Sequence, residues 1–153
     1  MTTQLPSPFD GPYEPNPSDW VREQVEAYEA SGGTEANTLL DTGWPIIVVT
    51  MVGHRSGKVR KFALMRVTDG DNYALVASKG GAPEHPAWYS TLRHLPDIYI
   101  QDGDTPRRFS LRELDGDERR VWWDRSVEAY PPYAEYQEKT ERRIPVLLAS
   151  PVE

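Results

Sequence analysis

The densest group of cationic side chains in the sequence lies around a glycine-containing turn, GHRSGKVR, at residues 53–60. Lys58 and Arg60 are two residues apart, so on a strand they share one face, while Arg55 and Ser56 fall in the turn beside them. Charge-assisted hydrogen bonds contribute about 1.5–3 kcal/mol each before desolvation, so these residues could hold a phosphate. A solvated, cationic hairpin that discourages edge pairing explains the same residues equally well. A P-loop is excluded, because the glycine spacing is one residue short and no Ser or Thr follows the lysine.

A second pattern with chemical meaning is VASKGG at residues 76–81, followed by a proline-started helix. Lys79 adds a cation after a predicted strand. Gly80 and Gly81 let the backbone approach a flat ligand closely, because no side chain keeps the ligand away. Amide groups of the loop would then meet ring heteroatoms. From the residues alone, however, a Gly-Gly pair is more often only a turn.

Three tyrosines, Tyr130, Tyr133 and Tyr136, recur at three-residue spacing. An aromatic stripe with this spacing more often packs in a core, although tyrosines can also offer hydroxyls to a substrate oxygen.

His54, His85 and His94 show no metal-ligand spacing, and the chain has no cysteine, so no metal site is expected.

Composition narrows the classes of function. The net charge of −7 argues against the broad basic surface that nucleic-acid binding requires. The absence of cysteine fits a reducing cytoplasm, and no segment reaches a membrane-spanning length, so we expect a soluble cytoplasmic protein. We expect residues 1–15, which are polar and proline-rich, to form a flexible leader, and residues 16–153 to form a single domain.

The predicted elements are mostly strands joined as antiparallel hairpins. Asn16 and Pro17 predict the start of a helix that ends before Gly32. Two strands around the GHRSG turn, a strand at 73–78, a helix from Pro86 to about residue 95 and a second hairpin at 97–114 follow. A helix to about residue 129, a short tyrosine-bearing helix and a last strand, IPVLLA, complete the chain. Hairpins with few helices between them favour a small, mainly β barrel with flanking helices (α+β) over a doubly wound parallel sheet.

Three ordered strings resemble the deazaflavin-dependent nitroreductase family, whose members use coenzyme F420. The strings are GHRSGKVRKFAL, DGDNYALVASKGGAPEHPAWYSTLRHLPDIYIQDGD and DERRVWWDRSVEAYPPYAEYQEKTERRIPV, and the likeness covers about residues 35–150. It implies a split β-barrel of the FMN-binding, pyridoxamine-phosphate-oxidase-like architecture. It also implies a hydride transfer from reduced F420 to an electron-poor organic acceptor, which is a quinone, an activated alkene or a nitro compound.

The resemblance also implies roles for individual residues. Contact with the cofactor is implied for His54, Arg55, Ser56, Lys58, Arg60, Val76, Ala77, Ser78, Lys79, Gly80, Gly81, Pro86, Ala87 and Trp88. Contact with the acceptor is implied for Met65, Tyr130, Tyr133 and Tyr136, and we expect Ser78 and Tyr133 to be the catalytic pair. The chain departs from the family where His54 replaces the usual arginine, where Ala63 replaces a proline, and where Met65 replaces an aromatic residue of some members.

Two other functions fit the same residues. A flavin-binding relative of the barrel would use FMN, and a deazaflavin carrier would bind F420 without catalysing any reaction. The resemblance further implies a homodimer and, in some members, weak peripheral association with membranes, although this acidic chain shows no basic amphipathic helix.

Overall fold

The computed structural model describes residues 5–39, 42–95 and 97–152, so residues 1–4 of the predicted leader lie outside the described residues. Within these ranges the chain forms, in order, α1 (Asp19–Ala30), β1 (Ile46–Val52), β2 (Val59–Met65), β3 (Tyr73–Val76), a 3₁₀ turn (Lys79–Gly81), α2 (Ala87–Leu92), β4 (Asp97–Gln101), β5 (Pro106–Glu113), α3 (Gly116–Ala129), α4 (Pro132–Lys139) and β6 (Val146–Pro151).

The strands form one antiparallel sheet with the order β2-β1-β4-β5-β6-β3. The sheet curls around a single apolar cluster to which every strand contributes, with Ile47, Phe62, Leu75, Ile98, Phe109 and Leu147 as one member from each. The predicted mainly β split barrel with flanking helices is therefore confirmed. Tyr73–Val76 pairs with β6 and with no other described strand, although the two are 70 residues apart in the chain.

Helices α1, α3 and α4 cover the outer face of the sheet, whereas Tyr89 and Leu92 of α2 pack in the interior cluster. Because side chains alternate along a strand, Phe62 points into the barrel while Ala63 and Met65 face outward against Val25 of α1. Helices α3 and α4 pack with Val76, Leu148 and their neighbours in a second outer cluster. The space between α1 and the α3–α4 pair is where the candidate site forms.

The start of α1 differs from the prediction. Asn16 was expected to be the N-cap, but Ser18 occupies that position and the helix begins at Asp19. The Asn16 side chain instead accepts a hydrogen bond from the Ser18 N–H at 2.9 Å. This bond forms an Asx turn that carries the chain into the helix two residues later than expected.

Residues 9–14, which belong to the predicted leader, lie against the sheet. The Phe9 ring meets Tyr99 edge-on at 4.9 Å between centroids. Val59 N–H donates to the carbonyl of Pro12 at 2.7 Å, and Glu14 N–H donates to the carbonyl of Val59 at 2.8 Å. These bonds cover part of the outer edge of β2, whose backbone groups would otherwise lack partners. The division of the chain at residue 15 stays a prediction.

Candidate functional site

A cavity of about 510 Å³ lies between α1, β2, the loop after β3, the start of α2 and the tyrosines of α3 and α4. Ten of the residues predicted for the site line it: Met65, Val76, Ser78, Lys79, Gly80, Pro86, Trp88, Tyr130, Tyr133 and Tyr136. They come from four separate stretches of chain, so the fold brings together what the sequence spaces far apart. We call this space the ring cavity, because its size and aromatic walls suit a flat ring system.

Trp88 forms part of one wall of the ring cavity. Its ring stacks on Phe62 of the barrel interior, with centroids 5.0 Å apart and planes 16° from parallel. Pro86 precedes it at the N-cap position of α2 and is buried, whereas Ala87 is exposed and does not line the cavity. The stack fixes the indole against the core, so this wall is both flat and rigid.

Tyr130, which directly follows α3, and Tyr133 and Tyr136 of α4 form another part of the wall. The hydroxyls of Tyr130 and Tyr136 are 3.0 Å apart and share a hydrogen bond, and the rings of Tyr130 and Tyr133 meet edge-on at 4.9 Å. Burial, followed by the bond to Tyr136, raises the pKa of Tyr130 to about 12. Tyr130 is therefore a neutral hydroxyl across the physiological range.

Two hydroxyls in the cavity wall have no hydrogen-bond partner among the described residues, namely those of Tyr133 and Ser78. Only 3% of Tyr133 and 8% of Ser78 is exposed. Burial raises the pKa of Tyr133 far above its ordinary value, so the side chain stays protonated and can donate. No fully buried side-chain polar atom among the described residues lacks a partner, so these two hydroxyls must remain open to the cavity, where they are available to a ligand.

The loop after β3 turns through three left-handed residues, Lys79, Gly80 and Gly81, whose φ values are 48°, 64° and 84°. A Cβ on Gly80 would meet nothing within 4 Å, so its face of the loop is open to the cavity. A Cβ on Gly81 would lie 2.6 Å from the carbonyl oxygen of Tyr136. The second glycine is thus required by the close approach of α4, independently of any ligand.

Three predicted residues near this loop have other surroundings. Ala77 packs in the barrel interior and, like Gly81, does not line the cavity. Lys79 lines it, but its ammonium is paired with the Glu84 carboxylate at 3.2 Å. Both partners are well exposed, so a ligand anion can compete for Lys79.

The cationic turn, residues 53–60, does not line the ring cavity. His54 stacks on His94 with centroids 4.6 Å apart, and its Nδ1 lies 3.2 Å from Thr91 Oγ1, so the turn is joined to α2. Ser56 Oγ accepts a bond from the Lys58 N–H at 3.1 Å. Arg60 pairs with Glu14 at 3.2 Å, while Arg55 is exposed.

One face of β2 links the cationic turn to the ring cavity. Leu64 lines the cavity, Phe62 supports Trp88, and Arg60 follows on the same face because side chains alternate along a strand. At about 3.3 Å per residue, Arg60 lies about 13 Å from Leu64 along the strand. A ligand with a flat end and an anionic tail could therefore contact both.

Several cavity residues were missed by the sequence reasoning. Trp20, Val21 and Gln24 of α1 line the cavity, and Trp20 stays half exposed at 50%. Leu39, Ile46, Ala63 and Leu64 complete the lining. Residues 20, 21 and 24 have helical spacing in the sequence. That pattern predicts only that one face of the helix is buried, and it does not indicate a cavity. Arg142, behind the loop, was also missed.

Two other kinds of feature are absent from the described residues. No group of three or more His, Cys, Asp or Glu side chains there could hold a metal ion. Within the same ranges, every helix is too short or too polar to cross a membrane.

Comparisons with known proteins agree on one family. The family model described as F420H(2)-dependent quinone reductase matches residues 20–151. The F420H(2)-dependent quinone reductase Rv1261c of Mycobacterium tuberculosis (strain ATCC 25618 / H37Rv) is 35% identical over 109 residues, which cover 68% of this chain and 72% of that protein.

Two solved structures resemble the fold. One, titled "Structure of F420-H2 Dependent Reductase (FDR-A)", has 51% identity and a TM-score of 0.66, and the match covers 69% of this chain and 94% of the other. Another, titled "domain-swapped dimer", has 49% identity and a TM-score of 0.69, and the match covers 88% of this chain and all of the other.

Proposed function

Because the chain belongs to the F420H(2)-dependent quinone reductase family, we propose that its ring cavity holds the deazaflavin ring of reduced coenzyme F420 beside a quinone. The protein is an F420-dependent oxidoreductase. The observation that carries the assignment of the site is the pair of unpartnered hydroxyls, Ser78 and Tyr133, in an aromatic cavity.

The residues present fit the cofactor. The flat wall made by Trp88 on Phe62 suits the apolar faces of a ring, and the open face of Gly80 lets the backbone approach the ring edge. Arg60, Lys58 and the neighbouring turn residues suit the phosphate and acidic tail, because Arg60 lies on the same face of β2 as Leu64, which lines the cavity. The net acidity of the chain does not oppose this, since the positive charge is local.

When bound, reduced F420 supplies the hydride. Tyr133 remains neutral because it is buried, so its hydroxyl is available to donate to the acceptor oxygen on which negative charge develops. Ser78 Oγ, in the loop after β3, supplies a second donor. The hydroxyls of Tyr130 and Tyr136 share one hydrogen bond, so one of their two O–H donors is already used and the pair mainly shapes the wall. Trp20 and Val21 of α1 line the cavity and add apolar surface beside the ring.

The first experiment measures cofactor binding and turnover. Purified protein is titrated with F420 and, in parallel, with FMN, followed by fluorescence, and oxidation of reduced F420 is then assayed with naphthoquinones, enones and nitroaromatics. We expect binding of F420 and not FMN, and the fastest turnover with quinones. Preferential binding of FMN would refute the assignment, and binding of F420 without oxidation by any acceptor would identify a carrier.

The second experiment tests the two hydroxyls. In Ser78→Ala/Tyr133→Phe we expect kcat to fall by at least about 100-fold, because the loss of even one of the two donors to developing charge costs about this much. The matched control is Tyr99→Phe, which deletes a hydroxyl from a buried tyrosine that packs on Phe9 outside the cavity. Unchanged turnover in a correctly folded double variant would remove the assigned roles.

We also propose that the protein is a homodimer. The support is the solved relative titled "domain-swapped dimer", which matches 88% of this chain at 49% identity. Light scattering coupled to size-exclusion chromatography measures the assembly mass directly, and a mass of 17.4 kDa at all concentrations would contradict the dimer.

A further inference from the structure

The loop that carries Ser78 is held from behind by one guanidinium, that of Arg142. Its Nη2 donates to the carbonyl of Ser78 at 2.7 Å, its Nη1 to that of Ala77 at 3.2 Å and its Nε to that of Ala82 at 2.8 Å. Its Nη1 also donates to Nδ1 of His85 at 2.9 Å. A single half-buried side chain thus spans both ends of the left-handed turn.

The direction of these bonds determines where the amide groups of the loop point. In a trans peptide the C=O and the following N–H point in opposite directions. Because the Ser78 carbonyl faces Arg142, the N–H of Lys79 faces the other way. Arg142 does not line the ring cavity, whereas Ser78, Lys79 and Gly80 do. The N–H groups of Lys79 and Gly80 have no acceptor among the described residues.

We propose that Arg142 is a positioning residue for the reaction, which fixes the carbonyls of Ala77 and Ser78 so that the Ser78 hydroxyl and the N–H of Lys79 face the ring cavity. This inference rests on the proposed function. The guanidinium acts through the loop and does not itself touch the cavity. Arginine suits this role because its five N–H donors lie in a fixed plane, whereas the compact ammonium of lysine cannot reach three carbonyls and a ring nitrogen at once.

His85 completes the anchor. It lies at the other end of the loop, before Pro86, and its ring contacts Tyr89 with centroids 4.7 Å apart. Burial, followed by the charges of Arg142 and Arg93, lowers the pKa of His85, while Glu113 acts in the opposite direction. His85 is therefore neutral near pH 7, and its Nδ1 can accept the bond from Arg142.

The test compares Arg142→Lys with Arg143→Lys, which makes the same change one residue later. Arg143 is exposed and makes no hydrogen bond among the described residues, so it is a matched control. The first readout is the pair of backbone amide signals of Lys79 and Gly80 in ¹⁵N-labelled protein without F420. The second is kcat with reduced F420 and a naphthoquinone, for which we expect a fall of about tenfold or more in Arg142→Lys, since small misplacements of reacting groups are costly.

Displaced amide signals together with a lower kcat in Arg142→Lys, and neither in Arg143→Lys, would support the proposal. Amide signals that match the wild type, or displaced signals with the kcat of the control, would overturn it. If Arg142→Lys does not fold, Arg142→Ala is measured with added guanidinium ion. Recovery of the amide signals and turnover would then support the role, and no recovery would overturn it. A wild type that cannot oxidise reduced F420 refutes the proposed function itself, and the positioning role falls with it.

Discussion

The two glycines of the loop after β3 should respond very differently to the same substitution. Gly80 and Gly81 both have left-handed backbones, so an added Cβ costs about 1–2 kcal/mol at either position. At Gly81 the Cβ would also lie 2.6 Å from the Tyr136 carbonyl oxygen and 3.1 Å from Lys139 Cβ. Overpacking of this kind adds about 1–3 kcal/mol. At Gly80 nothing lies within 4 Å, so the backbone cost stands alone.

We therefore expect Gly81→Ala to lower the free energy of unfolding by about 2–5 kcal/mol and Gly80→Ala by about 1–2 kcal/mol. For a chain of this size each kcal/mol changes the Tm by about 2–4 °C, so the two variants should be clearly separated. Urea unfolding followed by tryptophan fluorescence measures the difference. Gly70→Ala, at another left-handed glycine with open surroundings, controls for the backbone cost.

Cofactor binding should reverse the order of the two variants. The methyl group of Gly80→Ala enters the ring cavity and should weaken F420 binding in a protein that is nearly as stable as wild type. The methyl group of Gly81→Ala pushes against α4 and should act mainly on stability. Equal loss of stability in the two variants would refute the reasoning that α4, and not a ligand, requires the second glycine.

Three further outcomes follow from the charges and hydroxyls. Burial is the main cause that raises the pKa values of Tyr73 and Tyr130 to about 12. The stability that these two residues contribute should therefore be complete below pH 10 and lost as the pH rises from 10 to 12. Urea unfolding across this range measures the loss of stability, and the 295 nm absorbance of tyrosinate measures the titration. Lys79→Ala should change the free energy of unfolding by less than about 1 kcal/mol, because the ion pair of Lys79 with Glu84 is exposed, but it should weaken F420 binding. Calorimetry of unfolding and of F420 binding measures the two effects, and a larger loss of stability would show that Lys79 has a structural role. Arg60→Ala should weaken F420 binding and flatten its salt dependence, whereas identical salt slopes in variant and wild type would place the anionic tail elsewhere.

The order and type of the elements could be predicted because local signals agreed with the fold. The β-rich runs PIIVVTMV and KVRKFALMRV on either side of the GHRSG turn predicted β1 and β2, and Pro131 with Pro132 predicted the restart of helix at α4. The start of α1 was missed by two residues because the Asn16 side chain bonds a backbone N–H in a turn and not in a helix. Asparagine is favoured both as a helix N-cap and in an Asx turn, so the residue type alone does not distinguish the two structures.

The candidate site was predictable where one short segment carries it, as in the loop containing Ser78 and the tyrosines of α4. It was not predictable where contacts join distant segments. Arg142 is 64 residues from Ser78, and nothing in its local sequence distinguishes it from Arg143, which is exposed. The role of Gly81 was also hidden, because a glycine needed by a neighbouring helix and one needed by a ligand look alike in a sequence.

The pairing of β3 with β6 has a consequence for the protein during its synthesis. A nascent chain emerges from the ribosome at about 5–20 residues per second, and its early segments can begin to fold before the later segments appear. β1, β2, β4 and β5 can pair as soon as Glu113 has emerged, but β3 and the loop that follows it must wait for Val146 and the residues after it. Arg142 arrives at the same stage. A nascent chain should therefore acquire its affinity for F420 late and abruptly, and cofactor binding would report that synthesis has passed β6.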